Sequence, residues 1–216
     1  MAFPRSPRVL KGGIVLLDAV TGRVLRFIVL QYNPDTVTRT LQVQGVGGES
    51  GDRSEALRLK GPPVETIKLD AEIDATDQLE LVKKPTTTDG VYPHLAALEM
   101  IVYPSVTQLR DAEALALKGS IEIAPAEAPL TVFVWSRNRV VPVRLTEFSV
   151  TEEAFDPQLN PTRAKVSLGM RVLSGNDLAP GHRGASLFTA YHQKKESFAT
   201  TFSLGTLESL GGPKFE

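Results

Sequence analysis

The chain contains no cysteine. Disulfides, thiolate catalysis and cysteine-ligated zinc or iron–sulfur centres are therefore excluded. It has no long apolar run either. Its longest apolar stretches fall far below the ~20 residues that a membrane helix needs. The start, "MAFPRSPRVLKGGIVLLD", carries no secretory signal pattern, because its apolar run "GIVLL" is short and is closed by Asp18. Net charge is small: 24 basic against 25 acidic side chains, or −1 over 216 residues. That balance points away from nucleic acid and from an anionic membrane surface as general partners. Histidine is scarce, with three residues at 94, 182 and 192. His182 and His192 lack the i, i+4 spacing of helical metal sites, so surface or capping roles are expected. These absences lead to the expectation of a soluble protein made in the cytoplasm, without membrane insertion or nucleic-acid binding.

What is present is an ordinary globular composition, 42% hydrophobic and 23% charged. A chain of this length buries roughly 70% of its unfolded surface, enough for a substantial core. The expected organisation is a flexible or partner-docked arm over 1–8, one domain over 9–202, and a tail over 203–216.

Alternation and turn residues place strands along most of the domain. "RVLKGGIVLLD" (8–18) and "RVLRFIVLQYN" (23–33) read as a hairpin around "AVTG". In the second strand Val24, Leu25, Phe27 and Val29 are expected to carry the burial, with imperfect alternation that allows a bulge. "LQYNPDTVTRTLQ" (30–42) contains an Asn-Pro corner, and "LNPTRAKVSL" (159–168) repeats the device. Proline cannot donate to a ladder and keeps the preceding residue extended, so each corner ends one strand and aims the next. After the first corner, Val37, Arg39, Leu41 and Val43 share a face. Arg39 either snorkels to the sheet edge or forms a structural ion pair at a subunit seam.

"GVGGESGDRSEALRLKGPP" (45–63) reads as a long loop. "VETIKLDAEIDATD" (64–77) alternates an inner face, Glu65, Ile67, Leu69, Ala71 and Ile73, with an outer face that becomes acidic. "YPHLAALEMIVYP" (92–104) changes to a helical period, while 105–129 is ambiguous, with helical propensity in "LRDAEALALKG" but not in "SIEIAPAEAP", and is expected to be poorly ordered. "PLTVFVW" and "RVVPVRLTEFSVTEEAF" form a second hairpin, turning at Ser136-Arg137-Asn138. There Val141, Val143 and Leu145 point inward, with Phe148 and Val150 as further inward candidates. Pro142 argues for an edge or a bulge. "TRAKVSLGMRVLS" alternates Ala164, Val166, Leu168, Met170 and Val172. "HRGASLFTAYHQKKESFATTF" (182–202) carries a helical stripe of Leu187, Tyr191, Phe198 and Phe202. The expected fold is mainly β, a barrel or sandwich with one central and one C-terminal helix.

Few constellations carry chemistry. Asp70, Glu72, Asp74 and Asp77 crowd one strand, but the spacing lacks the glycine and distal glutamate of a calcium loop. A solvated face or an interface for basic partners fits them better. No G-x-S-x-G elbow or phosphate-binding glycine loop occurs, and "GVGGESG" precedes no helix start. Trp135, the single tryptophan, is expected to anchor a core or an interface. No catalytic, cofactor-binding or metal-ligating residue is assigned. The candidate interface residues are Arg39, Asp70, Glu72, Asp74, Trp135 and Arg163.

Taken in order, "QYNPDTVTRTL", "GPPVETIKLDAEIDATD", "LAALEMIVYP", "PLTVFVWSRNRVVPVRLTEFSVTEEAFDPQLNPTRAKVSLGMRVL" and "HRGASLFTAYHQKKESFA" give a pattern that resembles the tube-type baseplate proteins of contractile injection systems. These are phage-tail-like particles, and the family often carries a LysM domain, which is not expected here. The resemblance implies a tube-like β-barrel in a hexameric ring, acting as adaptor or tube initiator between central spike and inner tube. Its implied partners are itself, the inner tube protein, the spike protein and other baseplate or sheath components, in a particle kept in the cytoplasm or released. Two other readings stay open: a stand-alone β-barrel that binds a ligand, and a hydrolase using the acidic 70–77 strand.

Overall fold

A computed structural model describes residues 10–45, 58–76, 86–117 and 128–201. The 1–8 arm, most of the 45–63 loop, Asp77 and the 203–216 tail lie outside the described residues. Seven antiparallel strands form one sheet: β1 (Gly13–Leu17), β2 (Val24–Val29), β3 (Thr38–Gln42), β4 (Val64–Asp74), β5 (Leu130–Ser136), β6 (Arg139–Phe155) and β7 (Pro161–Val172). Their order across the sheet is β2-β1-β5-β6-β7-β4-β3. The helices are α1 (Thr86–Asp89), α2 (Tyr92–Glu99), α3 (Val106–Leu117) and α4 (Arg183–Thr201). No helix among the described residues is long and apolar enough to cross a membrane.

The mainly β class agrees with the alternation, and the inner strands obey it closely. In β4 every residue from Glu65 to Ile73 on the odd face is buried, and in β7 Ala164, Val166, Leu168, Met170 and Val172 are all buried. These two strands pair from Thr66↔Arg171 to Asp74↔Arg163, so their apolar faces enter one core. Leu95 and Leu98 of α2 close that core from above. In β6 the ladder to β7 passes from Leu145↔Met170 to Glu147↔Gly169, leaving Thr146 unpaired. A single extra residue flips the pleat. That is why the inward residues change from Val141, Val143 and Leu145 to Phe148 and Val150.

Several expectations are corrected. The sheet is not closed into a barrel: its outer strands, β2 and β3, do not pair with each other. Instead the Gln31 side-chain amide bonds both the N–H and the C=O of Asp74, clasping the end of β2 to the end of β4. In β2 the burial is the reverse of that expected. Ile28 is buried, while Val24, Leu25, Phe27 and Val29 are exposed, Phe27 to 68%. Both parities of "VLRFIVL" are apolar, so periodicity cannot choose the inner one. A bulge at Leu25, between the pairs Leu16↔Arg26 and Leu17↔Val24, adds to the ambiguity.

Pro142 is fully buried in a central strand, not at an edge. It is tolerated because the β6–β7 ladder starts one residue later, at Val143↔Val172, and the Leu173 N–H donates to the Pro142 carbonyl. Of 105–129, residues 106–117 are helical rather than poorly ordered, and 118–127 lie outside the described residues; Ser105 caps α3, its Oγ accepting from the Gln108 N–H while Gln108 Oε1 accepts from the Ser105 N–H. The α4 stripe is shorter than expected. Gly184 and Tyr191 are buried and Phe188 packs on the core, but Phe198 is 54% exposed. Residues 196–201 of the helix are all exposed, and Phe202 lies outside the described residues.

Candidate assembly surfaces

Three surfaces draw together the residues that the sequence singles out. The first is the solvent face of β4, β7 and β6. Alternation turns Lys68, Asp70, Glu72 and Asp74 outward, and the β4–β7 register sets Arg163 opposite Asp74. Arg163 reaches Asp74 at 3.0 Å and Glu72 at 3.5 Å. Ser167 Oγ donates to Asp70. Lys68 pairs with Glu147 at 2.7 Å, and Lys165 with Glu153 at 2.8 Å. The Thr76 hydroxyl and N–H donate to Asp74 and, with Arg163 beside it, hold that carboxyl below its ordinary value. The carboxylates thus alternate with donors from neighbouring strands, a pattern that fixes register and keeps the face wet. Such exposed pairs add little to stability, because water screens the charges and ordering two long side chains costs entropy. Asp70, Glu72, Asp74 and Arg163 are brought together here. Among the described residues no group of three His, Asp or Glu is placed to hold a metal ion.

The second surface surrounds Arg39. It does sit on an edge strand, but its Nε donates to Glu65 Oε1 at 2.8 Å within the same chain. Glu65 is the residue that sequence reasoning placed on the inner face without assigning it a role. It is 3% exposed and also accepts from Tyr191 OH at 2.9 Å and Lys195 Nζ at 2.8 Å. Burial pushes its pKa up, but the bonds from Lys195 and Tyr191 and the charges of Lys195 and Arg39 outweigh that and leave it lowered. Burial, chiefly, raises the Tyr191 pKa. The available sequence signal was a lone glutamate among inward apolar residues, which requires partners from elsewhere in the chain.

Trp135 belongs to neither group. It stacks on Phe133 with ring centroids 6.0 Å apart and covers Gly12 so closely that a Cβ there would stand 2.6 Å from the ring. It is half-buried, packed against the core beside the β5–β6 turn.

The third surface is the pair of open sheet edges, β2 and β3. Natural edges are usually blunted by lysine, proline or a covering element. β2 has Arg26 alone among charges, and exposes Val24, Leu25, Phe27 and Val29. Beside it a groove of about 330 Å³ runs between β2, β4 and α2, lined by Phe27, Val29, Ile73, Pro93, His94 and Leu98 among others. On β3 Leu41 is 46% exposed, and Val43 follows at 70%. Of the histidines, His182 Nδ1 accepts the Gly184 N–H at the start of α4, and His192 lies 3.4 Å from Glu196. Compared with known proteins, the chain matches no protein-family model and no curated protein.

Proposed function

We propose that this chain is a structural subunit of a contractile injection system, forming a hexameric ring that joins the central spike to the inner tube. The observation that carries the reading is the pair of edges, at opposite ends of one sheet, left unpaired among the described residues, with exposed apolar side chains along β2. One partner molecule would satisfy one edge and leave the other bare. Copies joined head to tail satisfy both, and a fixed rotation per copy closes them into a ring. The ordered pattern of segments that resembles tube-type baseplate proteins supports the same reading. In this ring the charged face of β4, β7 and β6 meets neighbouring layers, and Arg163 joins a seam contact as well as its own carboxylates.

The test is particle mass after co-expression with the spike and tube proteins of the same system. Assemblies at six-fold multiples of the 23.4 kDa chain are expected. A chain that stays monomeric in that mixture and is missing from purified particles overturns the proposal. The groove beside β2 favours a second reading, a ligand-binding module, since its volume lies at the small end of the ~300–1,000 Å³ range of ligand sites. Phe27→Glu separates the two: loss of assembly with an unchanged monomer favours the ring, whereas loss of small-molecule binding by a lone chain favours the module.

A further inference from the structure

Glu65 stands where the packing of the sheet asks for a hydrocarbon. It shares the β4 face of Ile67, Leu69, Ala71 and Ile73, which lead into the core. A buried carboxylate holds only while its partners stay, and a well-packed apolar residue at such a position is often as stable or more so. The cluster around Glu65 therefore contributes arrangement more than stability. What it arranges is specific. On one side is Arg39, in a five-residue strand that, among the described residues, pairs with β4 alone. The register sets Arg39 opposite Ile67 and Leu41 opposite Glu65, so the ion pair is a diagonal that pins the inner face of β3.

On the other side are Tyr191 and Lys195 of α4. That helix seats Gly184, Phe188 and Tyr191 on the core, but most of its length is exposed, and its other tethers include polar bonds that reach turns. Arg183 Nη1 donates to the Thr21 carbonyl at 3.3 Å, and Lys194 Nζ donates to the Arg137 carbonyl. A helix held this way belongs to the easily opened part of a fold. Arg39 and Tyr191 share one oxygen, Oε1, while Lys195 takes the other. Seating α4 thus fixes the carboxylate in the orientation that Arg39 needs.

We propose that Glu65 is a positioning residue through which the docking of α4 sets the order of the open β3 edge. With α4 seated, Glu65 is dry and Arg39 holds β3 against β4. With α4 lifted, Glu65 is hydrated, Arg39 loses its fixed partner, and β3 keeps only its ladder. A partner that grips or displaces α4 therefore changes how ready β3 is to accept a strand. This consequence for assembly rests on the ring reading; the coupling itself does not.

Hydrogen exchange on the whole chain tests it. In Lys195→Met, the β3 amides bonded to β4 should exchange about tenfold faster, with β7 unchanged. Coupling is reciprocal, so Arg39→Met should speed exchange around residues 191–195. Wild-type exchange in β3 when α4 is loosened, or in α4 when Arg39 is removed, overturns the proposal. Should Lys195→Met fail to fold, Tyr191→Phe removes one hydrogen bond with almost no change in shape and must move the same β3 amides. A wild-type chain that shows the coupling but never forms rings defeats the ring reading alone.

Discussion

Asn33-Pro34 and Asn160-Pro161 are the same dipeptide placed between strands, but each asparagine is anchored to a different kind of partner. Asn33 works on the surface. Its Oδ1 accepts the Gly12 N–H at 2.8 Å and its Nδ2 donates to the Leu10 carbonyl at 2.7 Å, so it extends the β1–β2 hairpin past its last ladder bond. Pro34 is half-buried and outside any strand. Asn160 works between the sheet and α1. Its Nδ2 donates to Asp156 at 2.9 Å and to the Thr88 carbonyl at 3.2 Å, and its N–H donates to Asp156 Oδ1 at 2.8 Å. Pro161 is fully buried as the first residue of β7, and its carbonyl accepts the Val91 N–H at 2.8 Å. In both places the dipeptide lies in the connection after a strand rather than at its last residue, and at the second Pro161 opens the next strand. The neighbours decide whether it is a surface clasp or a clamp between sheet and helix.

Gly90 gives the sharpest way to break the second corner. It has φ +56°, and a Cβ there would lie 2.1 Å from the Pro161 carbonyl oxygen. Gly90→Ala should cost about 3 kcal/mol, through a backbone clash added to left-handed strain. Chemical denaturation measures it, and a loss below about 1 kcal/mol means that α2 can move away freely. The next largest difference lies between the asparagines. Asn160→Ala should cost about 2 kcal/mol and Asn33→Ala about 1 kcal/mol, because Asn160 ties the fully buried Pro161 corner to α1 whereas Pro34 is only half-buried. Equal losses in paired melts would show that burial does not separate the two corners.

Acid should separate them without mutation. Asn160, through its side chain and then its N–H, together with the Gln158 N–H, holds the Asp156 carboxyl below its ordinary value of 3.8. A carboxyl lowered in the folded state adds stability that is complete above the unfolded value and lost as pH falls through the folded one. Exchange at 156–161 should therefore rise before exchange at 31–34 as pH drops below about 4, since Asn33 has no titrating partner in its two bonds. Asp156→Asn should erase the difference, and simultaneous loosening of both corners in the wild type would contradict the electrostatic account. The smallest effect is a gain. Leu159 has φ +66° and is exposed, so Leu159→Gly should relieve strain at some entropic cost. A rise of about 2 °C in Tm or less is expected, and a fall would show that the leucine side chain makes a contact worth more than its strain.

The inner strands were legible because one face of each meets the core. β4 and β7 bury every second residue, and that alternation is written in their sequences. Even the pleat reversal in β6 left a trace, in inward residues that change from odd to even numbers after Leu145. β2 was not legible, because apolar residues fill both of its parities and an edge strand has a neighbour on one side only. The acidic residues of β4 were visible as a group, but Arg163, 89 residues after Asp74, meets them only through the β4–β7 register. Glu65 was read onto the correct face, while its partners stand 26, 126 and 130 residues away and share no local pattern with it.

The sequence by itself determined the mainly β class, the two hairpins, the inner faces of β4 and β7, and the corners at Asn33-Pro34 and Asn160-Pro161. Each follows from local physics: side chains alternate along a strand, and proline cannot donate to a ladder. The tertiary structure decided that the sheet stays open with β2 and β3 at its margins, that Gln31 clasps Asp74 across the opening, and that Arg39, Tyr191 and Lys195 converge on Glu65. Those outcomes depend on register and on meetings between distant segments, which contribute only after the chain has closed its loops.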